Sequence, residues 1–350
     1  MNPLEEIIRT EIGKRGPVSF ERFMGLALYH PEYGYYATAN SVVRIGARGD
    51  FFTAVSVGSI FGRLLARRIA RWWNAAGAPA AFDLVEWGAH DGQLANDLLT
   101  MLERDAPPCF AATRYAIVEP IAKIEEMQRR KLAASGKVRW ARDAKALGKV
   151  RGVIVANELL DSLPFRVFES ATRTREMGVG LSQGALGWQP ISEADAAIDA
   201  APQGWRGRWE TRPSVAAWME DAAAALEKGR IVLFDYGWTD EEYFAVPRPH
   251  GTARAYRGHR RSDRLLANPG DQDLTAHVRW TSVLREAMLR GLEIEEFLQQ
   301  GRWLSHAFAA DPWTLDAEEA RQFNTLSHPD MMGEPFRVLV LKLEPKSSAA

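Results

Sequence analysis

The feature that most constrains this chain is a series of short apolar segments between residues 82 and 237, separated by stretches with helical patterning. FDLVEW (82–87), RYAIVE (114–119), VRW (138–140), GVIVAN (152–157) and IVLFDYG (231–237) each read as a strand. Their near-continuous apolar character is that of strands buried on both faces. Such strands alternating with helices predict an α/β fold with a parallel sheet covered on both sides. The segments 292–298 and FRVLVLKLE (336–344) are predicted to add an antiparallel pair at one edge.

Before the first strand, Leu4, Ile7, Ile8 and Ile12 share a helical face. Ser19 is placed to cap a second helix that must end near Pro31. Val57, Ile60, Phe61, Leu64, Leu65, Ile69, Trp72 and Trp73 mark a long amphipathic helix stopping at Gly77 to Pro79. Residues 1–78 are therefore read as an N-terminal helical cover with a loop, and 79–344 as the core. An insertion of short strands and one helix is expected over about 165–228, between strands four and five. A polar, Gly- and Arg-rich segment follows over about 238–280, and 345–350 reads as a frayed tail.

Composition excludes several classes. With 46% hydrophobic and 25% charged residues the chain has the means to form a core. Lys+Arg of 44 against Asp+Glu of 45 disfavours a general polyanion binder, so no nucleic acid is expected. No apolar run reaches membrane-spanning length. Met1 to Arg9 lacks the pattern of a signal or transit peptide. Cys109 stands alone, which suits a reducing compartment, and the cytoplasm is the expected location. The histidines lack compact ligand spacing, and neither H-E-x-x-H nor C-x-x-C occurs, so no metal is expected.

The strongest chemical signal is Val85-Glu86-Trp87-Gly88-Ala89-His90-Asp91-Gly92. A strand ending in an acid, then small residues, then a helix brings backbone N–H groups to a ligand at the carboxyl edge of a sheet. The spacing is not the G-x-G-x-x-G of dinucleotide sites. Glu119 follows Gly88 by 31 positions, where a nicotinamide site has an acid after about 20. An adenosyl ligand with Glu119 on its ribose suits this spacing better. Glu86, Glu119, Asn157 and Asp235 all fall at strand ends and converge on one edge. Glu158 and Asp161 are three apart. If they open a helical turn they share a face and can hold a cationic group, or they form a solvated helix start favoured by the dipole.

PEYGYY (31–36), GDFFT (49–53), the glycine loop, NELLDSLPF (157–165), DYG (235–237), GTARAYRGHRR (251–261) and NPGDQDLTAHV (268–278) occur in that order. Together they resemble the MidA-type S-adenosylmethionine-dependent methyltransferases, relatives of a mitochondrial arginine methyltransferase of complex I assembly. The resemblance runs from about residue 4 to about residue 343. It implies a Rossmann-like seven-strand methyltransferase core, S-adenosyl-L-methionine as cofactor and protein arginine as acceptor. Matched residue by residue, it puts Glu86, Gly88 and Gly92 in the cofactor loop and Glu119 on the ribose hydroxyls. It puts Asp50 over the cofactor, Asp143 near the adenine, and Asn157, Glu158 and Asp161 in an N-E-x-x-D motif. Glu158 and Asp161 are then the carboxylates that orient a guanidinium for in-line methyl transfer.

Two positions depart from the family pattern. His90 stands where the loop usually has glycine, so a side chain there is expected to crowd the methionine part of the cofactor. A non-catalytic assembly or binding protein on a methyltransferase fold is the alternative that His90 raises. Arg279 stands where the family tends to have an acid.

Overall fold

Strand β4 (Val150–Asn157) shows why a parallel sheet forms: Val153, Ile154, Val155 and Ala156 are consecutive and all buried. Its parallel neighbours are β1 (Phe82–Trp87) and β5 (Leu226–Trp238), and β2 (Thr113–Val118) and β3 (Val138–Ala141) extend the sheet beyond β1. Two further strands, β6 (Glu293–Gln299) and β7 (Phe336–Leu343), complete the order β6-β7-β5-β4-β1-β2-β3. A two-residue strand, Val278–Arg279, also pairs with the end of β5. The computed structural model describes residues 2–37, 53–193, 200–258 and 260–344.

The predicted antiparallel pair forms at one edge of the sheet. β6 and β7 are antiparallel to each other, but only β7 runs against the sheet, and it lies inside while β6 is outermost. Burial explains the order. Val338 to Leu341 of β7 are fully buried, whereas β6 carries Glu293, Glu295 and Glu296, which suit an edge.

The chain divides into two units, and this sheet belongs to the one made of Phe52–Leu159, Trp218–Tyr236 and Leu284–Ala350. Helix α1 (Ile60–Ala75) buries Ile60, Phe61, Leu64, Leu65 and Ile69 in the same core cluster as the strands. Phe61 meets Phe234 of β5 edge-on, 5.0 Å between ring centres. Each such side chain contributes roughly 1.5–3 kcal/mol through burial. This packing is why the expected boundary at residue 78 is not observed: α1 belongs with the sheet, and the division falls at Phe51.

The other unit combines Met1–Phe51, Leu160–Ala217 and Gly237–Val283. Its helices Pro3–Arg15 and Phe20–Tyr29 are capped by Asn2 and Ser19, whose side chains accept from the N–H groups of Glu5 and Arg22. They share a core with Phe165, Val167, Met177 and Val179 of the insertion. The insertion forms antiparallel strands Arg166–Ser170, Thr174–Ser182, Ala185–Glu193 and Gly207–Thr211. A separate three-stranded sheet holds Arg254–Arg257, Arg260–Ser262 and Asp273–Thr275. No helix among the described residues is long and apolar enough to cross a membrane.

Candidate active site

The register brings the strand ends together. Glu86 sits opposite Val155, Trp87 opposite Val118, and Phe234 opposite Asn157. Beyond β1 the chain must turn sharply into helix α2 (Gln93–Asp105). Gly88 (φ 76°) and Gly92 (φ 80°) both take the left-handed conformation that glycine adopts without strain. A Cβ on Gly88 would lie 2.8 Å from Leu159 Cδ1, the tip of a flexible side chain, so it is the left-handed backbone rather than the space that favours glycine here. Gly92 precedes α2 without a side chain to cap it; Asp91 takes the N–H of Gln93, the first residue of this 13-residue helix, and the amides after it are placed for an anionic ligand group.

His90 lies between these glycines with φ 44°, a conformation costing a side-chain-bearing residue about 1–2 kcal/mol. Its Nε2 is buried without a hydrogen-bond partner, while its carbonyl accepts a 2.8 Å bond from Gln128. The loop thus keeps its glycine-like backbone with histidine at the centre. Asp91 accepts from Gln93 N–H and pairs with Lys131 at 2.6 Å.

Glu119 directly follows β2, and its N–H bonds to Ala141 of β3. Its carboxylate accepts from Ile121 N–H (2.9 Å) and Gln128 Nε2 (3.1 Å). Burial outweighs these bonds and pushes the carboxyl up to about 7. Glu86 is likewise pushed up to about 7 by burial, against a 2.7 Å bond from Tyr115. Asn157 ends β4, and its Oδ1 is buried with no partner. Asp143 follows β3 as expected, but it is exposed and accepts from Ala146 N–H, capping the short helix Ala144–Leu147. Asp50 lies outside the described residues.

The helical turn expected at Glu158 and Asp161 does not form. Glu158 has φ 51°, and the segment runs on as a non-helical turn. The cause is tertiary: Glu158 N–H bonds to Phe234 O of β5 at 2.8 Å, which carries the ladder one residue beyond β4. Glu158 Oε1 accepts from Ala54 N–H (2.7 Å) and from Asn157 Nδ2 (3.2 Å). Asp161 falls in the other unit, because the division passes between Leu159 and Leu160. Only 6% exposed, it offers its carbonyl to Arg212 (3.0 Å). Its carboxylate and that of Asp273 both act on Tyr36, whose hydroxyl donates to Asp273 at 3.0 Å.

Sequence reasoning missed three features. Gln128 is wholly buried between the loop and Glu119, although its neighbours in EEMQRRK are charged. Arg279 is buried and makes a double contact with Asp240 (3.0 and 2.7 Å), which accounts for a cation at that position. The basic run at Arg254 to Arg261 lies largely in two paired strands with Arg257, Arg260 and Arg261 exposed, and Arg254 pairs with Asp263. His277 stacks on Trp238 at 4.0 Å, and burial with Arg248, Arg212 and Arg254 holds it down to about 3, so it stays neutral.

These residues fit S-adenosyl-L-methionine. Glu119 can accept from ribose hydroxyls, Asn157 Oδ1 from an ammonium, and the turn into α2 offers N–H groups to a carboxylate. The family model described as "Putative S-adenosyl-L-methionine-dependent methyltransferase" matches residues 64–298. The chain is 28% identical over 320 residues to the mouse (Mus musculus) protein arginine methyltransferase NDUFAF7, mitochondrial, covering 82% of this chain and 70% of that one. It is 25% identical over 381 residues to the Drosophila melanogaster homolog, covering 97% and 84%. A superfamily member from Burkholderia thailandensis, crystallised with S-adenosyl-homocysteine, superposes with a TM-score of 0.86 at 29% identity, over 97% of this chain and 92% of the other. The chain belongs to this family of S-adenosyl-L-methionine-dependent methyltransferases.

Proposed function

We propose that the chain methylates a guanidinium nitrogen of a protein arginine, with Glu158 as the carboxylate that orients the acceptor. The observation that carries this reading is the strained placement of Glu158. An acid with φ 51° sits at the carboxyl end of β4, beside Asn157, with its backbone and carboxylate both tied down. Such strain persists where the surrounding structure over-determines it, typically at functional sites. The curated relatives named as protein arginine methyltransferases support the choice of acceptor.

When bound, S-adenosylmethionine supplies an electrophilic methyl group on a sulfonium that leaves as a neutral thioether. The acceptor nitrogen forms its N–C bond in line and releases one proton to water or to a carboxylate. Two cations must approach each other in this reaction. Glu158 offsets that repulsion and aims the nitrogen. Alignment of this kind contributes roughly 7–11 kcal/mol to such reactions.

Glu158→Gln is expected to abolish transfer of labelled methyl to lysate protein while leaving S-adenosyl-homocysteine affinity unchanged. Undiminished transfer would remove Glu158 from the mechanism. Mass spectrometry of the labelled protein identifies the acceptor residue, and a label found anywhere but arginine defeats the choice of acceptor. For location we propose the cytoplasm, on the lone thiol Cys109, although the curated relatives are named as mitochondrial. Fractionation of the source cells decides that point.

A further inference from the structure

Helix α3 (Ala122–Lys131) presents mostly polar residues, yet its Gln128 is 0% exposed. Three bonds converge on that amide. Nε2 donates to His90 O at 2.8 Å and to Glu119 Oε2 at 3.1 Å, and Oε1 accepts from Trp140 Nε1 at 2.9 Å. The indole N–H only donates, so Trp140 forces the amide oxygen toward itself and the amide nitrogen toward the two acceptors. Gln128 therefore links the turn after β1, the acid after β2 and a residue of β3. Its Cγ also lies under Gly92, 3.7 Å from where a Cβ on that glycine would be.

We propose that Gln128 is a positioning residue for the cofactor, holding the His90 peptide and the Glu119 carboxylate in one fixed arrangement. The His90 carbonyl bond compensates for the strained backbone that histidine adopts in place of glycine. Ile121 N–H and Gln128 each hold one oxygen of Glu119, so the carboxylate plane is set before any ligand arrives. Preorganisation of this kind lowers the ordering cost of binding. The inference rests on Glu119 as the acid for the ribose.

The test is calorimetric titration with S-adenosyl-homocysteine between pH 6 and pH 9 for wild type, Gln128→Met, Trp140→Phe and Glu119→Ala. Gln128→Met keeps the volume and removes the donor. It is expected to raise Kd roughly ten- to hundredfold. The pH midpoint of binding should also move upward, because the Gln128 bond lowers the Glu119 pKa. The other ionisable group acting on Glu119 is Glu125, which all four proteins retain. Trp140→Phe frees the amide to turn and should shift both readings the same way by less. A wild-type Kd and midpoint in Gln128→Met would overturn the proposal, as would a raised Kd with an unmoved midpoint, which marks a merely structural role. Should Gln128→Met fail to fold, Trp140→Phe decides by the same criteria. Wild-type affinity in Glu119→Ala would instead defeat the ribose assignment on which the proposal stands.

Discussion

Replacing Glu119 with glutamine should separate stability from cofactor binding. Burial raises this carboxyl from an ordinary 4.5 to about 7 in the folded chain. The native state then holds more protons than the unfolded state between those values. Stability therefore falls as pH rises through that window, and the loss is complete above pH 7. At 1.36 kcal/mol per unit, the full penalty is about 3 kcal/mol, of which about 2 kcal/mol appears between pH 5 and pH 8. Glutamine cannot ionise, so this slope disappears. The substitution also sets an amide donor against Gln128 Nε2, at a cost of about 1–3 kcal/mol that is the same at every pH. Glu86, also raised to about 7, is present in both proteins and cancels in the comparison. Urea unfolding followed by circular dichroism at pH 5, 6, 7 and 8 gives the four-point comparison. The variant should lose about 2 kcal/mol less than wild type between pH 5 and pH 8, and should bind S-adenosyl-homocysteine more weakly. Parallel stability curves for the two proteins would refute the claim that burial raises the Glu119 carboxyl.

Two further outcomes follow from the same geometry. His90→Gly removes the left-handed backbone cost and a buried unpaired Nε2, against the entropy of a new glycine, and should stabilise the ligand-free protein by about 1 kcal/mol. A lower urea midpoint would show that the imidazole contributes packing instead. Arg279→Ala strips Asp240 of a double contact and removes a cation 4.9 Å from the Phe244 ring centre. It should destabilise the protein by roughly 2–3 kcal/mol, and an unfolding midpoint unchanged from wild type would show that the pair is dispensable.

The strands were readable because parallel strands buried on both faces must be apolar along their length, as Val153 to Ala156 are. The candidate cofactor residues were readable for a related reason. A charged or amide group at the end of such a strand stands out, and Glu86, Glu119 and Asn157 all lie where the sheet terminates. What escaped reading depends on partners distant in sequence. Glu158 resembles the start of a helix until Phe234 claims its N–H, a contact 76 positions away. Arg279 finds Asp240 39 residues earlier. Gln128 looks like any polar residue of a surface helix, and only its bonds to His90 and Trp140 reveal the difference. The boundary after α1 was misplaced because an amphipathic helix carries its own punctuation but not the address of the surface it covers.

We propose that the turn from Gly88 to Gly92, with Glu119 beside it, receives an adenosyl ligand. Isothermal titration of the wild-type protein with S-adenosyl-homocysteine at pH 8 tests it most directly. Saturable heat at one equivalent per chain is the predicted result. A well-folded protein that releases no binding heat at any attainable concentration would show that the turn holds no such ligand.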